Sequence, residues 1–207
     1  MYLTEQLREA LLSGEYPLGA ALSQSELARA YNVSRIPVRD ALLELAADRL
    51  VEVTPGKGAR VIALTRGELA EVFDLRILLE TDLLRRSVIC ANDQQRAETE
   101  YALKRSSLEA GRPGWHKGDW EFHLALYAPT GRFRQIGIVD HLRKICVMHA
   151  ARYTFLAEAT DKWLEDHRII QRAFVERRAE EACERLMAHL QSAHDMLQSA
   201  ISDGAAG

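Results

Sequence analysis

Apolar residues recur three and four positions apart along most of the chain, which is the spacing of amphipathic helices. The first such run covers Thr4–Ser13. A second begins at Ser23, where serine followed three positions later by Glu26 is typical of a helix N-terminus. A third run follows Ser34 and contains Pro37, which a helix tolerates in its first turn because amide groups there have no helical partner.

The spacing of apolar residues changes after these three helices. Two short β-prone runs, 50–54 and 59–62, flank the turn sequence Pro55-Gly56-Lys57-Gly58. A tetrapeptide of this kind between two such runs predicts a β-hairpin with a basic tip. Three helices followed by a hairpin make a winged helix-turn-helix, so residues 1–64 are predicted to form a DNA-binding domain.

The third helix carries Arg35 and Arg39 on a face that its apolar residues leave free. In a helix-turn-helix, the N-terminal residues of this helix meet base edges in the major groove. The planar arginine side chain can donate two hydrogen bonds to a guanine edge or bind a phosphate. The candidate DNA contacts derived from these residues are Arg35, Arg39, Lys57 and Arg60.

An alternative is that the two arginines are solvated helix charges paired with Asp40 or Glu44. Residues 1–64 contain seven Arg or Lys and eight Asp or Glu, so the domain is not basic overall. DNA binding would therefore depend on the local placement of the cations, and nonspecific affinity is expected to be modest.

Residues 65–207 consist of successive helical patterns without strand character. Thr65 and Glu68 are spaced like a capping box and open a helix that extends to about Cys90. Further helices are predicted near 93–110, 115–128, 132–156, 161–176 and 178–201. The predicted fold is mainly α, with a winged helix-turn-helix over 1–64 and an all-α helical bundle over 65–207.

Four polar side chains lie on apolar stripes of the predicted bundle. Asp119 and His123 are four positions apart on one helix, and His167 and His189 belong to two later helices. A single inward histidine is commonly a hydrogen-bonded core residue, but an unpaired buried carboxylate is costly. Together the four groups would satisfy one another around a divalent cation that keeps positions open for water or an anion.

The remaining candidates have less specific interpretations. His149 follows a helical stripe and is an alternative candidate ligand for the cation. Arg76 on the first bundle helix is either a contact for an effector carboxylate or a salt-bridged structural residue. Surface positions, or positions beside the site, are expected for His116, His141 and His194.

Composition narrows the class of protein further. A length of 207 residues, 47% of them hydrophobic, and a net charge of -3 fit a globular protein with one large core or two small ones. The three cysteines are far apart and odd in number, which favours core filling over disulfides or a thiolate zinc site. Without an apolar run of about 20 residues or a signal-peptide pattern, the protein is expected in the cytoplasm, with no membrane partner.

The motifs of the first 64 residues resemble the GntR family of bacterial transcription regulators. The matching segments are Leu27-Ala28, Val33-Ser34-Arg35-x-Pro37-Val38-Arg39-x-Ala41-Leu42 and Pro55-Gly56-Lys57-Gly58-Ala59-Arg60-Val61. The resemblance implies a homodimer on a short palindromic operator in double-stranded DNA. It also adds Ser34, within the helix motif, and the wing glycine Gly56 to the expected DNA contacts.

The histidine motifs are similar to the metal-binding pattern of the FCD effector domain, which occurs in the FadR subfamily. They are Asp119-x-x-Phe122-His123, His167 followed by Ile170, and Met187-Ala188-His189-Leu190. In that domain the metal is typically zinc, nickel or a similar ion, and it often helps to hold a small carboxylic acid. The resemblance implies a ligand-responsive regulator, repressor or activator, and not an enzyme.

Two other functions stay open at this point. A metal-dependent hydrolase is one, since an aspartate and three histidines around a metal can activate water. Against it, no histidine has a glutamate three positions before it, the pattern of di-metal carboxylate bundles. The other is a structural dimerisation module with packed histidines. Measurement of bound metal distinguishes this module from a regulator, and operator binding distinguishes both from the enzyme.

Overall fold

The computed structural model describes residues 2–54, 58–112, 115–151 and 160–204. Within these ranges the chain forms nine α-helices and three short β-strands, which confirms the predicted, mainly α fold class. It divides into two compact units: Met1–Thr65 with Arg143–Arg152, and Arg66–Leu142 with Tyr153–Gly207. None of the described helices is long and apolar enough to cross a membrane.

The first unit contains three helices and a small antiparallel sheet. In chain order its elements are α1 (Leu3–Leu12), β1 (Ala21–Leu22), α2 (Gln24–Ala30), α3 (Arg35–Ala47), β2 (Val51–Thr54) and β3 (Gly58–Val61). Strand β3 lies between β1 and β2, with Val61 opposite Val51 in the β2–β3 hairpin. The predicted hairpin tip, residues 55–57, lies outside the described residues.

Helix α3 is oriented by its apolar stripe. Its four buried residues, all predicted from spacing, are Val38, Ala41, Leu42 and Leu45. They join a core that also contains Leu7 and Leu11 of α1, and burial of each large aliphatic side chain stabilises the unit by about 1.5–3 kcal/mol. Ser34 precedes the helix as predicted, but its side chain makes no capping hydrogen bond. The stripe thus leaves the opposite face of α3 exposed.

The second unit is a helical bundle. Its helices, with α7 continuing into the first unit, are α4 (Arg66–Cys90), α5 (Asp93–Glu109), α6 (Trp115–Tyr127), α7 (Phe133–Ala150), α8 (Thr160–Val175) and α9 (Ala179–Gly204). Helix α4 packs on α9, α5 on α6, and α8 on both α5 and α9. Leu83, Phe122 and Phe174 are among the fully buried residues of the shared core. The predicted extension of α7 over 152–156 lies outside the described residues.

Arg96 of α5 stabilises the ends of two bundle helices. Its buried guanidinium donates to the carbonyl oxygens of Val88 and Ala91 at the end of α4, at 2.9 and 3.0 Å. It also donates to the Phe174 carbonyl near the end of α8, at 2.6 Å. The last carbonyl groups of a helix have no partner within the helix, so these bonds satisfy them and hold α8 against the bundle.

Helix α8 ends in a left-handed residue that is not glycine, Arg177, with φ 61°. The Arg177 N–H donates to the Phe174 carbonyl and the Arg178 N–H to the Ala173 carbonyl, which is a Schellman-type end. A side chain raises the energy of this backbone conformation, whereas glycine adopts it freely.

We expect Arg177→Gly to raise the free energy of unfolding by about 1 kcal/mol. The exposed ion pair that it removes, Arg177 to Asp93 at 3.6 Å, contributes little. Arg168→Gly, the same change inside α8, is expected to lower the stability by about 1 kcal/mol. Urea denaturation of both variants measures the two changes, and a destabilised Arg177→Gly protein would contradict the expectation.

Candidate functional site

Three histidines from three helices meet inside the bundle. His167 Nε2 on α8 lies 3.3 Å from His123 Nε2 on α6 and 3.3 Å from His189 Nε2 on α9. The ligand atoms of all three lie within 4.8 Å of one another. His123 and His167 are fully buried, and His189 is 8% exposed. We call this group the histidine trio.

The geometry of the histidine trio fits a bound metal ion. Nitrogens at about 2.0–2.1 Å from zinc in a tetrahedral arrangement are roughly 3.4 Å apart, close to the two observed separations. Neutral imidazole is also a donor that zinc, nickel and similar ions accept. His123, His167 and His189 therefore have the chemistry of a three-nitrogen site, and two of their three separations match its spacing.

Asp119 of α6 lies at the edge of the histidine trio. Its Oδ1 is 3.5 Å from His167 Nε2 and 3.9 Å from His123 Nε2, and its side chain is 22% exposed. The structure thus brings together all four predicted ligand residues. A carboxylate in this place adds a negative charge to the three neutral nitrogens, which suits a divalent cation.

His189 is held from its outer side by a carboxylate. Its Nδ1 lies 3.2 Å from Asp166 Oδ2, and the same oxygen accepts a hydrogen bond from Lys162 at 3.2 Å. Burial by itself raises the pKa of Asp166, but the hydrogen bonds from His189 and Lys162 outweigh it and lower that pKa. The charged carboxylate can accept a hydrogen bond from Nδ1–H of His189. The Nε2 atom then carries no proton and can bind a metal.

Sequence reasoning missed the residues behind His123. Its Nδ1 lies 3.1 Å from the Tyr127 hydroxyl, which donates to Glu80 Oε2 at 2.7 Å. Tyr127 and Glu80 are fully buried. The available signal was helical spacing, since Tyr127 follows His123 by four positions and Glu80 follows Arg76 by four.

Arg76, the predicted effector contact, is 5% exposed. Its Nε donates to Glu80 Oε1 at 2.8 Å, and its guanidinium carbon lies 5.1 Å from the centre of the Phe73 ring. This is the arrangement expected for a salt-bridged structural arginine. Contact between Arg76 and an effector stays a prediction.

The other histidines do not belong to the trio. His149 is in the first unit, where its Nε2 accepts the Leu64 N–H at 3.0 Å and its Nδ1 lies 2.8 Å from the Ile145 carbonyl oxygen. These two contacts define a neutral histidine with a proton on Nδ1. His194 packs on Phe73 with a ring separation of 5.1 Å, and His116 and His141 are half-buried.

The candidate DNA contacts lie at the start of α3. Ser34, Arg35 and Arg39 are exposed, and Arg39 makes only a weak surface pair with Asp40 at 3.4 Å. Ile36, which sequence reasoning did not single out, is 66% exposed in the same turn. The structure therefore brings the two arginines onto one accessible face.

The candidate contacts of the hairpin are only partly described. Arg60 lies on β3 and is exposed, and its guanidinium donates to the Gly19 carbonyl oxygen. Gly56 and Lys57 lie outside the described residues. This hydrogen bond holds the Arg60 side chain against the backbone at Gly19, within the first unit.

Two families of known proteins match the two parts of the chain. Residues 3–61 match the bacterial regulatory proteins of the gntR family, and residues 71–192 match the FCD domain. A winged helix-turn-helix with a histidine-containing helical bundle defines a two-domain regulatory protein. The chain belongs to the GntR family and carries an FCD domain.

Two relatives of the chain are named as transcriptional repressors. The gluconate operon transcriptional repressor of Bacillus subtilis (strain 168) is 41% identical over 83 residues, which is 40% of this chain and 34% of that protein. The HTH-type transcriptional repressor GlaR of Escherichia coli (strain K12) is 27% identical over 213 residues, covering 96% of this chain and 88% of the relative. The match to the gluconate repressor thus spans about a third of that protein's length.

Solved structures agree with the fold. The structure of E. coli McbR/YncC superposes with a TM-score of 0.80 at 20% identity and covers 96% of both chains. A putative transcriptional regulator GntR from Rhodococcus sp. RHA1 gives a TM-score of 0.78 at 24% identity, also over 96% of both chains. At this level of identity the likeness concerns the fold alone.

Proposed function

We propose that this protein is a ligand-responsive transcription regulator that binds a palindromic operator in double-stranded DNA. The bundle would bind a divalent metal ion such as zinc or nickel, together with a small carboxylic acid effector. The observation that carries the proposal is the meeting of His123, His167, His189 and Asp119 inside the bundle of a GntR-family chain. The protein would act in the cytoplasm, where its operator lies.

DNA binding is supported by the exposed start of α3. Arg35 and Arg39 extend from the part of the helix that enters the major groove in a helix-turn-helix. Residues 1–64 have no excess of positive charge, so these side chains would supply base recognition and not a broad electrostatic attraction. Ser34 and Arg60, with Gly56 and Lys57 of the wing, would complete the contact surface.

Effector binding is supported by the charge of the predicted metal site. The four ligand residues would hold the cation, and a cation with an open position attracts a carboxylate into a mostly apolar interior. Asp119 is the most exposed of the four, so its side of the site is the one nearest to solvent. A small organic acid is therefore the expected class of effector.

A homodimer is supported by an apolar surface of the second unit. Leu75 and Leu78 of α4 are 48% and 66% exposed, and Phe133 and Ile138 of α7 are 77% and 53% exposed. Gln135 of α7 donates to the Leu79 carbonyl oxygen at 3.0 Å, which places the two helices side by side. A twofold dimer would cover this one surface in both copies, and a palindromic operator requires such symmetry.

We expect Leu78→Glu and Phe133→Glu to convert the dimer into single chains, because each places a charge in the middle of the proposed interface. Light scattering after size-exclusion chromatography measures the mass. Leu108→Glu is the matched control, since Leu108 is 74% exposed on α5, outside this surface. A wild-type protein that already runs as a single chain would refute the proposed dimer.

The function is tested with DNA and effector together. Metal-loaded protein is used to select duplexes from a random library, and the selected duplex is then titrated with a series of small organic acids present. We expect a palindrome to be enriched and one acid to change its affinity about 5- to 150-fold, the usual range of coupling between two sites. No enrichment of any sequence would refute operator binding. Enrichment without a response to any acid would refute the effector.

A further inference from the structure

A chain of buried hydrogen bonds leads from the histidine trio into the bundle. His123 Nδ1 contacts the Tyr127 hydroxyl at 3.1 Å, and that hydroxyl donates to Glu80 Oε2 at 2.7 Å. Arg76 Nε donates to the other oxygen, Glu80 Oε1, at 2.8 Å. The side chains come from two helices, α4 and α6, and all four residues are at most 5% exposed. We call these bonds the tyrosine chain.

The direction of the tyrosine chain follows from counting protons. A tyrosine hydroxyl has one proton, and Tyr127 gives it to the Glu80 carboxylate, so the hydroxyl can only accept from His123. His123 must then carry its proton on Nδ1. A neutral imidazole has a single N–H, so His123 Nε2, which faces the trio, presents a lone pair.

The reverse direction is disfavoured by Arg76. If Tyr127 donated to His123 Nδ1, Glu80 would need a proton of its own to donate to the hydroxyl. The buried ion pair between Arg76 and Glu80 would then be lost, and breaking a buried ion pair is strongly unfavourable. The ion pair thus keeps Glu80 an acceptor and sets the direction of every bond beyond it.

We propose that Tyr127, Glu80 and Arg76 are positioning residues that hold His123 with its proton on Nδ1 and its Nε2 lone pair directed at the metal position. The proposal rests on the metal site of the proposed function. Outer hydrogen bonds of this kind orient a ligand and raise its basicity. His189 is oriented in the same sense by Asp166, so two of the three histidines have a partner that selects the metal-binding tautomer.

Two substitutions test the chain in different ways. Tyr127→Phe keeps the aromatic ring and removes the hydroxyl, so the Nδ1 proton of His123 loses its hydrogen-bond acceptor. Glu80→Gln keeps the volume but reverses the chain, because Arg76 takes the amide oxygen and leaves the amide NH2 facing Tyr127. The hydroxyl must then donate to His123 Nδ1, which moves the ring proton to Nε2 and into the metal position.

The experiment measures the tautomer and the metal separately. Nitrogen-15 NMR of the metal-free protein is expected to report the Nδ1–H form of His123 in wild type and the Nε2–H form in Glu80→Gln. Zinc affinity, from competition with a chelating dye, is expected to fall about 10- to 100-fold in both variants. Tyr101→Phe and Glu100→Gln on the exposed side of α5 are the matched controls and should bind zinc like wild type.

Each outcome decides the proposal. Folded Tyr127→Phe and Glu80→Gln proteins with wild-type zinc affinity would overturn it, as would an Nε2–H tautomer in the wild-type protein. If Tyr127→Phe fails to fold, the wild-type tautomer and the isosteric Glu80→Gln variant still decide. A wild-type protein that binds no zinc, nickel or manganese would refute the proposed metal site, while the tautomer would still show whether the chain orients His123.

Discussion

His167→Ala is expected to remove the bound metal, with a loss of zinc affinity greater than about 100-fold. His167 is the central residue of the histidine trio, because its Nε2 lies 3.3 Å from each of the other two trio nitrogens and 3.5 Å from Asp119. Its loss leaves two nitrogens and a partly exposed carboxylate, a much weaker site. Elemental analysis of protein purified without chelator should find up to one divalent ion per wild-type chain and almost none in the variant.

His194→Ala is the matched control for the metal experiment. His194 lies on α9, five positions after His189, but it packs on Phe73 and does not belong to the histidine trio. Its replacement should leave metal content unchanged even if stability falls. Equal metal in wild type and His167→Ala, with or without prior incubation in zinc, nickel or manganese, would mean that these histidines are hydrogen-bonded core residues.

Arg35→Ala and Arg39→Ala are each expected to weaken specific operator binding by about 1–3 kcal/mol, or about 5- to 150-fold. Both side chains are exposed at the start of α3, and Asp40 competes for Arg39 only through a weak surface contact. Loss of a bidentate contact to a base should also relax sequence preference at that base pair. The measurement is titration of the selected duplex and of single-base variants by fluorescence anisotropy.

Two comparisons separate base recognition from simple charge. Lys57→Ala removes a cation from the predicted wing and should weaken all DNA sequences alike, because a phosphate contact carries no sequence information. Arg168→Ala removes an exposed cation from the bundle and should leave DNA binding unchanged. Wild-type affinity and specificity in both the Arg35 and Arg39 variants would show that α3 is not the recognition helix.

The helices were predictable because a helix is specified locally. Its hydrogen bonds join residues four apart, so apolar spacing and end signals define it without reference to the rest of the chain. The predicted segments 93–110 and 115–128 became α5 (Asp93–Glu109) and α6 (Trp115–Tyr127). Strand β1, only two residues long, was not predicted. It is defined by its pairing with β3 across the sheet, which local sequence does not reveal.

Spacing alone also identified the inward histidines, because position on a helix tells which side chains face the core. It could not tell which inward groups meet, since that depends on the rotation and packing of separate helices. The contact between Tyr127 of α6 and Glu80 of α4 and the bond between Asp166 of α8 and His189 of α9 arise in this way.

The sequence by itself therefore determined the fold class, the family and the four candidate ligand residues, all of which depend on local spacing and on motifs. Only the tertiary structure decided that the ligand nitrogens of three histidines lie within 4.8 Å of one another and that Arg76, Glu80, Tyr127 and His123 are joined by buried hydrogen bonds. The physical reason is that helix packing sets the distances between side chains of different helices to fractions of an ångström. Helical periodicity carries no such information.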